Sequence, residues 1–215
     1  VVGLVDVKTG QKLTQTHSIR IDGQMVDSRM IGDTLYVVTS WYPRLDIVPL
    51  SGSATPADRK GAINRLTNRD LLPTVTVTSL GATASSLTEP LMADTDCYLQ
   101  TQNASAAVQM TTITAFNLAS GNLERSSRCF LGGTEAFYMS TKNLYLATSR
   151  YETVDKGGIV AYPGQVTTDV HKFAINGMSI HYRGSGEVTG HLGWDSNKTS
   201  YRLSEHQGDL RVLTY

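Results

Sequence analysis

The amino-acid sequence predicts an all-β fold made of repeated antiparallel strands. Three observations predict it: short runs rich in Val, Ile, Thr, Tyr and Leu dominate the chain, Gly, Asn, Asp and Ser separate them, and several runs resemble one another. β-branched and aromatic residues suit the pleated, half-buried surface of a sheet. Typical runs lie at 35–39, 74–78, 111–116 and 144–148.

One strand motif recurs along the chain: a turn, then an apolar strand that opens with leucine and ends near threonine. The copies are GDTLYVVTS at 32–40, TKNLYLATS at 141–149 and QGDLRVLTY at 207–215. Their leading leucines are Leu35, Leu144 and Leu210. A weaker copy at 94–101 places Cys97 at the leucine position.

A second motif lies between copies of the first. Leu4–Gly10 resembles Thr114–Gly121, and each is an apolar strand that runs into a glycine turn. Two such motifs make a four-stranded unit, recurring at intervals that fit units of about 40–50 residues with loop insertions. One unit cannot bury both of its faces, so neighbouring units must stack on it. The sequence therefore predicts a β-propeller with about three whole four-stranded blades and two half-blades, and residues 1–215 are expected to be part of a single domain.

The dipeptide Asn176-Gly177 predicts a tight hairpin between strands at 170–175 and 178–182. Asn-Gly is typical of type I′ turns. The register expected for that turn gives one coherent apolar face. The expected pairs are Ile175 with Met178, Phe173 with Ile180, and His171 with Tyr182.

Two surface inserts interrupt the strand pattern, at about 43–73 and 151–166. In the first, Thr55 and Pro56 supply an N-cap and a proline at the first helical position, and apolar residues follow at helical spacing. We therefore expect one short surface helix at about 56–70. The second insert is rich in glycine.

Composition excludes several classes of protein. The 215 residues are 40% hydrophobic and 18% charged, as in soluble globular proteins. Basic and acidic residues balance at 19 each, which argues against a nucleic-acid partner. The sequence has no apolar run long enough for a transmembrane helix. It begins at Val1 without a signal-peptide pattern, so we expect a mature or excised piece.

Three segments are typical of one known family: TDVHKFAI at 168–175, IHYRGSGEV at 180–188 and GDLRVLT at 208–214. They resemble a bacterial family of secreted proteins with a β-propeller domain distantly related to WD40 repeats. The resemblance covers most of the chain, is weakest around 43–68 and 151–166, and departs at Thr189, where many relatives carry Pro. It implies a propeller and a secreted, periplasmic or cell-surface location. It implies no cofactor and no established activity.

The same resemblance bears on the cysteines and on the ends of the chain. From the residues alone, Cys97 and Cys129 are either one disulfide or two buried thiols. The resemblance to exported proteins implies the disulfide. Because the family domain is longer than this chain, we expect blades of a larger propeller whose edges need further blades or another chain to cover them.

Neither the histidines nor the acidic residues point to a metal site. His171, His181 and His191 recur at ten-residue steps, but the hairpin register places the first two on opposite faces. His171 is instead expected to be a core histidine near Tyr182. A lone Asp94-x-Asp96 lacks the further oxygen ligands that calcium prefers, so we expect turn carboxylates.

Serine catalysis is not predicted either. In 184–186, Gly-Ser-Gly follows a strand, whereas a nucleophile elbow needs G-x-S-x-G between a strand and a helix. A glycine turn at a blade corner is favoured. A catalytic triad of Ser185 with a histidine and an aspartate stays an alternative, because the members of a triad are brought together by the fold and not by their spacing in the sequence. The sequence singles out no histidine or aspartate for it.

A candidate partner-binding surface lies in and beside the first insert. Its residues are Arg44, Arg59, Lys60, Arg65, Arg69, Trp41 and Tyr42. The cations alternate with Asp46, Asp58 and Asp70, so a solvated helix face with local ion pairs is favoured, and partner docking is the functional alternative. The aromatic residues at strand ends and in loops can stack on sugars or bases if they cluster, or can pack under loops. They are Trp41, Tyr42, Tyr151 and Trp194.

The sequence favours a binding or scaffold module that presents loops to a protein, peptide or glycan. The alternative is an extracellular hydrolase or lyase with its site in the propeller funnel. Such an enzyme should place acid, base or metal-ligand residues at strand ends, and the sequence shows no such set. The general role rests on fold analogy, since propellers host many unrelated functions.

Overall fold

The computed structural model describes residues 1–6, 14–43, 45, 48, 52–80, 83–99, 109–120, 124–151, 154–156, 159–161 and 166–215. Strands dominate these residues, and all but one of their pairings are antiparallel, which confirms the all-β class. The strands form three larger sheets and two separate hairpins. None of the helices in the described ranges is both long and apolar enough to span a bilayer.

The central sheet contains five strands. They are β3 (Gln24–Ile31), β4 (Thr34–Trp41), β8 (Met110–Asn117), β9 (Arg125–Leu131) and, on the outer edge, β7 (Cys97–Leu99). Strand β7 pairs parallel to β9, with Cys97 opposite Cys129. The prediction that 94–101 is a copy of the main repeat was therefore wrong, since Cys97 begins a short strand at the edge of the sheet. The sequence of so short a strand does not determine which strand it pairs with.

The third sheet follows the central sheet along the chain. Its strands are β10 (Ala136–Met139), β11 (Asn143–Tyr151), β14 (Val166–Asn176) and β15 (Ser179–Thr189). Within the second insert, β12 (Val154–Lys156) pairs with β13 (Ile159–Ala161). The C-terminal hairpin is β16 (Leu203–His206) and β17 (Asp209–Val212). Leu35, Leu144 and Leu210 are each the second residue of their strand, which confirms the main repeat.

The N-terminal sheet combines distant segments. Its strands are β1 (Val2–Asp6), β2 (Thr14–Ile21), β5 (Thr74–Ser79) and β6 (Ser85–Pro90). The predicted N-terminal half-blade, β1 with β2, is completed here by the hairpin of β5 and β6, which follows the first insert. Together with the central and third sheets, it makes three sheets of at least four strands.

The first insert contains two helices, α1 (Pro56–Ile63) and α2 (Asn68–Leu71), instead of one helix at 56–70. Thr55 caps α1 as predicted. Helix α1 ends at Ile63, with Asn64 as its C-cap, and Thr67 is extended (ψ 165°), so the capping box of Thr67 starts a new helix. A second N-cap inside a helical pattern therefore divides it.

The β14–β15 hairpin differs from the predicted register. Asn176 pairs with Ser179 and Phe173 with Tyr182, because Gly177 and Met178 form the turn. Gly177 has a φ of 52° at the first central position, where type II′ turns prefer glycine. The partners of Phe173 and Ile175 move by two residues, so these two residues keep apolar partners. A bulge at Lys172 and Phe173 moves the partner of His171 by three residues, from the predicted Tyr182 to Ser185.

The sheets stack on one another through alternate residues of their strands. In β4, Val38 packs against the third sheet while Val37 packs against the N-terminal sheet. The core between the central and third sheets includes Tyr36, Ile113, Phe130, Phe137, Leu144, Leu146, Phe173 and Ile180. The central sheet is thus buried on both faces, as stacked blades require.

Strand β3 forms the edge of the central sheet, and its side chains are exposed except at Ile31. Three of them, Met25, Val26 and Met30, are large and apolar. That further blades or another chain cover such edges stays a prediction.

A carboxylate joins the C-terminal hairpin to the third sheet. Glu205 accepts hydrogen bonds from Ser140 Oγ (2.8 Å), Asn143 Nδ2 (2.9 Å) and Tyr145 OH (3.2 Å). Partial burial is the largest single influence and raises the pKa of Glu205. The three hydrogen bonds and the Lys172 charge together outweigh it, so the net pKa is lowered.

We expect Glu205→Ala to lower the free energy of unfolding at neutral pH by about 1 kcal/mol, since the partners of a half-buried carboxylate lose their acceptor. Because the folded pKa is lowered, this stabilisation is present above the unfolded pKa and is lost as pH falls through the folded pKa. Urea unfolding across the acidic range checks this. Glu205→Gln should remove the part of the pH dependence that Glu205 contributes, and Glu124→Gln, at an exposed site, should leave the pH dependence unchanged. An equal effect of both glutamine variants contradicts the prediction.

Candidate functional site

The second strands of the central and third sheets end at the same end of the molecule. Tyr36, near the start of β4, donates its hydroxyl hydrogen to the Gly177 carbonyl (2.6 Å). Gly177 follows β14, whose end pairs with the start of β11. Strands β4 and β11 therefore begin together and also end together, at Trp41 and Tyr151. Both inserts leave from this end, which we call the loop face.

Two glycines allow the chain to cross closely at the loop face. Gly23 follows β2 and has a φ of 106°, and Gly190 follows β15 and has a φ of 98°. A Cβ would lie 2.5 Å from the Ser40 carbonyl oxygen at Gly23 and 2.3 Å from that of Tyr215 at Gly190. Only glycine fits both the conformation and the space. This recurring glycine is a repeat signal that the sequence analysis missed.

The structure places most of the predicted partner-binding cations on the insert helices or just beyond them. Arg59, Lys60, Arg65 and Arg69 all have exposed side chains. Arg44 lies outside the described residues, as does Asp46.

The two predicted aromatic residues of this surface have different environments. Trp41 is half-buried, and its Nε1 donates to the Leu71 carbonyl (3.1 Å), so it anchors α2 to the central sheet. Tyr42 is 59% exposed beside it. Only Tyr42 therefore presents its ring to solvent.

Two aspartates of the insert, Asp58 and Asp70, take part in helix capping. Asp58 accepts from the Thr55 hydroxyl (2.7 Å) and backbone N–H (2.9 Å), and Asp70 accepts in the same way from Thr67 (2.6 and 2.8 Å). The hydroxyl hydrogen bond, followed by the backbone one, lowers the pKa of each carboxyl. Both carboxylates are held at helix N-termini, where negative charge is favourable.

A cleft of about 430 Å³ lies between α2 and the β5–β6 hairpin. Its lining includes Leu72, Pro90, Met92, Asn68, Arg69, Glu89 and Asp94. Asp94 accepts from Asn68 Nδ2 (2.6 Å), and Glu89 pairs with Arg125. Arg69 forms no ion pair with any carboxylate in the described ranges. The cleft can therefore accept an apolar side chain next to an acidic one.

An aromatic cluster lies elsewhere on the loop face, and we call it the aromatic platform: Tyr151, His191, Trp194 and Tyr215. The rings of Tyr151 and Trp194 are 6.2 Å apart and nearly parallel (18°). His191 lies 4.8 Å from Trp194 and 5.7 Å from Tyr215. Trp194 is 80% exposed and Tyr215 70%.

The platform only partly matches the aromatic residues singled out from the sequence. Tyr151 and Trp194 meet, whereas Trp41 and Tyr42 make no ring contact with another described aromatic residue. The sequence analysis did not predict that His191 and Tyr215 belong to this cluster. A backbone pairing unites them, from His191 N to Tyr215 O (3.3 Å) and from Tyr215 N to His191 O (3.0 Å), and no local motif signals it.

His171 is a core residue, as predicted. It is 2% exposed, its ring lies 4.1 Å from that of Phe130, and its Nδ1 is 3.3 Å from the Tyr182 hydroxyl. Burial lowers its pKa, against an opposing effect of Asp169.

Two further candidate chemistries gain no geometric support. Ser185 pairs with His171 across the hairpin, yet no hydrogen bond joins them. Within the described ranges, no three His, Cys, Asp or Glu residues are close enough to hold a metal ion.

Comparison with known proteins supports the architecture. A family model described as a beta propeller domain matches residues 1–215. No curated protein and no solved structure matches the chain.

Proposed function

Because the chain belongs to the beta propeller domain family, whose fold serves as a binding scaffold, we propose that it is an extracytoplasmic module that docks an acidic protein or peptide at its loop face. Loops on a rigid scaffold commonly carry recognition. Here both inserts leave from one end of stacked sheets, so a partner can contact them together.

The exposed cations of the first insert carry this proposal. Arg59, Lys60, Arg65 and Arg69 are exposed, and these four cations outnumber the two capping carboxylates Asp58 and Asp70, so the net charge of the two-helix segment is positive. A positively charged surface attracts acidic partners and orients them before contact.

The cleft beside α2 gives the same surface a specific contact. Leu72 and Met92 provide apolar area, and Arg69 stands next to it without a carboxylate partner in the described ranges. A ligand segment that combines an apolar and an acidic side chain fits this combination. Tyr42 adds an exposed ring where the insert begins.

The disulfide supports the extracytoplasmic location. Cys97 and Cys129 are bonded, with Cα atoms 4.4 Å apart. Disulfides persist in oxidising compartments and are rare in the cytosol.

The test is selection of a random-peptide phage library on the chain, followed by binding measurements with the enriched peptides. We expect enriched peptides to combine Asp or Glu with an apolar residue. Reversing Arg59, Lys60, Arg65 and Arg69 to Glu should weaken their binding at least ~10-fold, about 1.4 kcal/mol, because repulsion replaces attraction. Added salt should also weaken binding to the unmodified chain.

The matched control reverses four other exposed cations, which changes net charge equally. They are Arg20, Lys142, Arg183 and Arg211. This control should retain binding. Enrichment of peptides without acidic residues, or equal weakening in both variants, would contradict the proposal.

A further inference from the structure

The aromatic platform exposes a large apolar surface to solvent. Trp194 is 80% exposed although tryptophan is usually mostly buried, and its ring is nearly parallel to that of Tyr151. Arg202 lies 4.2 Å over the Tyr215 ring and donates to its hydroxyl (2.6 Å), so Tyr215 is held in place. Exposed, clustered apolar surface marks a binding site more often than isolated residues do.

Polar groups of both kinds border these rings. His191 Nδ1 accepts from the Gly193 N–H (2.9 Å), which places the hydrogen of the neutral ring on Nε2. No group in the described ranges accepts from that Nε2. Burial, and then the charge of Glu135, raise the pKa of the Tyr151 hydroxyl, and its hydrogen bond with Ser149 opposes them. The platform thus combines a ring N–H donor at His191 with a hydroxyl oxygen at Tyr151.

We propose that the aromatic platform is a carbohydrate-binding site for neutral pyranose chains, independent of the insert helices. The C–H face of a pyranose is weakly positive and complements the negative face of an aromatic ring. Sugar hydroxyls both donate and accept, so they need both kinds of partner at the ring edges. His191 Nε2 and the Tyr151 hydroxyl supply them.

Nucleic acid fits the platform less well. Base stacking on aromatic rings is normally combined with a positive groove for the phosphates. Here two cations near the rings already have partners: Arg202 lies over the Tyr215 ring, and Lys198 is paired with Asp195 (3.0 Å), next to Trp194.

A peptide fits the platform less well too. Extended peptides gain affinity from the backbone of a free strand edge. The backbone N–H and carbonyl of His191 are both bonded to Tyr215.

The chain contains two tryptophans, which makes the site directly observable. In a Trp41→Phe variant of the full chain, Trp194 is the only indole. We first screen an array of neutral gluco-, manno-, galacto- and N-acetylglucosamine oligosaccharides. The bound oligosaccharides are then titrated against this variant, and we expect the emission of Trp194 to shift to shorter wavelength as a sugar covers its ring.

Substitutions assign the binding to the platform. Trp194→Ala, measured by calorimetry, should weaken binding at least ~10-fold, in line with the loss of one stacking surface. Tyr151→Ala should weaken it less, because its ring is more buried. The matched control is Tyr201→Ala, an 85% exposed tyrosine that makes no ring contact with a described aromatic residue.

Several outcomes would overturn the proposal. They are the absence of binding on the whole array, sugar binding that survives Trp194→Ala, and displacement of the sugar by a single-stranded oligonucleotide or by the acidic peptides selected on the insert. The charge-reversed insert variant should bind sugar normally. Failure of the insert proposal and failure of the platform proposal are therefore distinguishable.

Discussion

Replacing Phe173 by alanine is expected to lower the free energy of unfolding by about 3–5 kcal/mol. The Phe173 ring is fully buried between the central and third sheets. It makes edge contacts with Tyr98 (6.2 Å) and Tyr182 (5.3 Å), so its removal leaves a cavity where these two sheets meet. Urea unfolding, followed by far-ultraviolet circular dichroism, measures the change.

Two controls separate the cavity from other effects. Phe173→Leu retains most of the apolar volume and should cost clearly less than the alanine variant. Leu87→Ala removes a side chain that is 61% exposed and should change stability by less than about 0.5 kcal/mol. A Phe173→Ala cost no larger than that of Leu87→Ala would mean that the sheets are not held together by this core.

Removing the disulfide with Cys97→Ala and Cys129→Ala together is expected to cost about 3–4 kcal/mol. The bond joins residues 32 positions apart, and closing a loop of that length restricts the unfolded chain. It also joins β7 to β9, where Cys129 is fully buried. Thermal and urea unfolding of the double variant measure the loss.

The unmodified chain in excess dithiothreitol is the matched control, and it should approach the stability of the double variant. A difference of less than about 1 kcal/mol between oxidised and reduced chain would contradict the expected stabilisation. Alkylation of the chain in its host cells tests the location. Full protection of both cysteines is expected outside the cytoplasm, and free thiols would contradict that location.

The sequence predicted those features that depend on local patterns. The repeated leucine of β4, β11 and β17 and the N-cap at Thr55 both arise within a few residues, and the structure confirms them. The burial of His171 was also predictable, because alternation along a strand placed it on the face of Phe173.

The wrong predictions have a common physical cause. Cys97 resembled the start of a blade, but pairing with β9 placed it on an edge. Asn176 remained in its strand because Gly177 took the first position of the turn. In both places a short pattern is compatible with several partners, and contacts elsewhere select one.

The candidate sites were predictable to different degrees. The basic insert was visible as a cluster of Arg and Lys within one segment. The sequence also showed aspartates between these cations. Only the structure showed that Asp58 and Asp70 accept hydrogen bonds from Thr55 and Thr67 at the starts of the two helices. The aromatic platform was only half visible, since Tyr151 and Trp194 were candidates while His191 and Tyr215 were not.

The sequence by itself determined the strand class, the repeat and the need for neighbouring sheets, because side-chain alternation and the burial of two apolar faces are properties of each segment. Only the tertiary structure decided that β5 completes the N-terminal sheet by pairing with β2, and that Trp194 meets Tyr151 on the loop face. Those outcomes depend on contacts between residues far apart in the chain, whose free energies no local pattern contains.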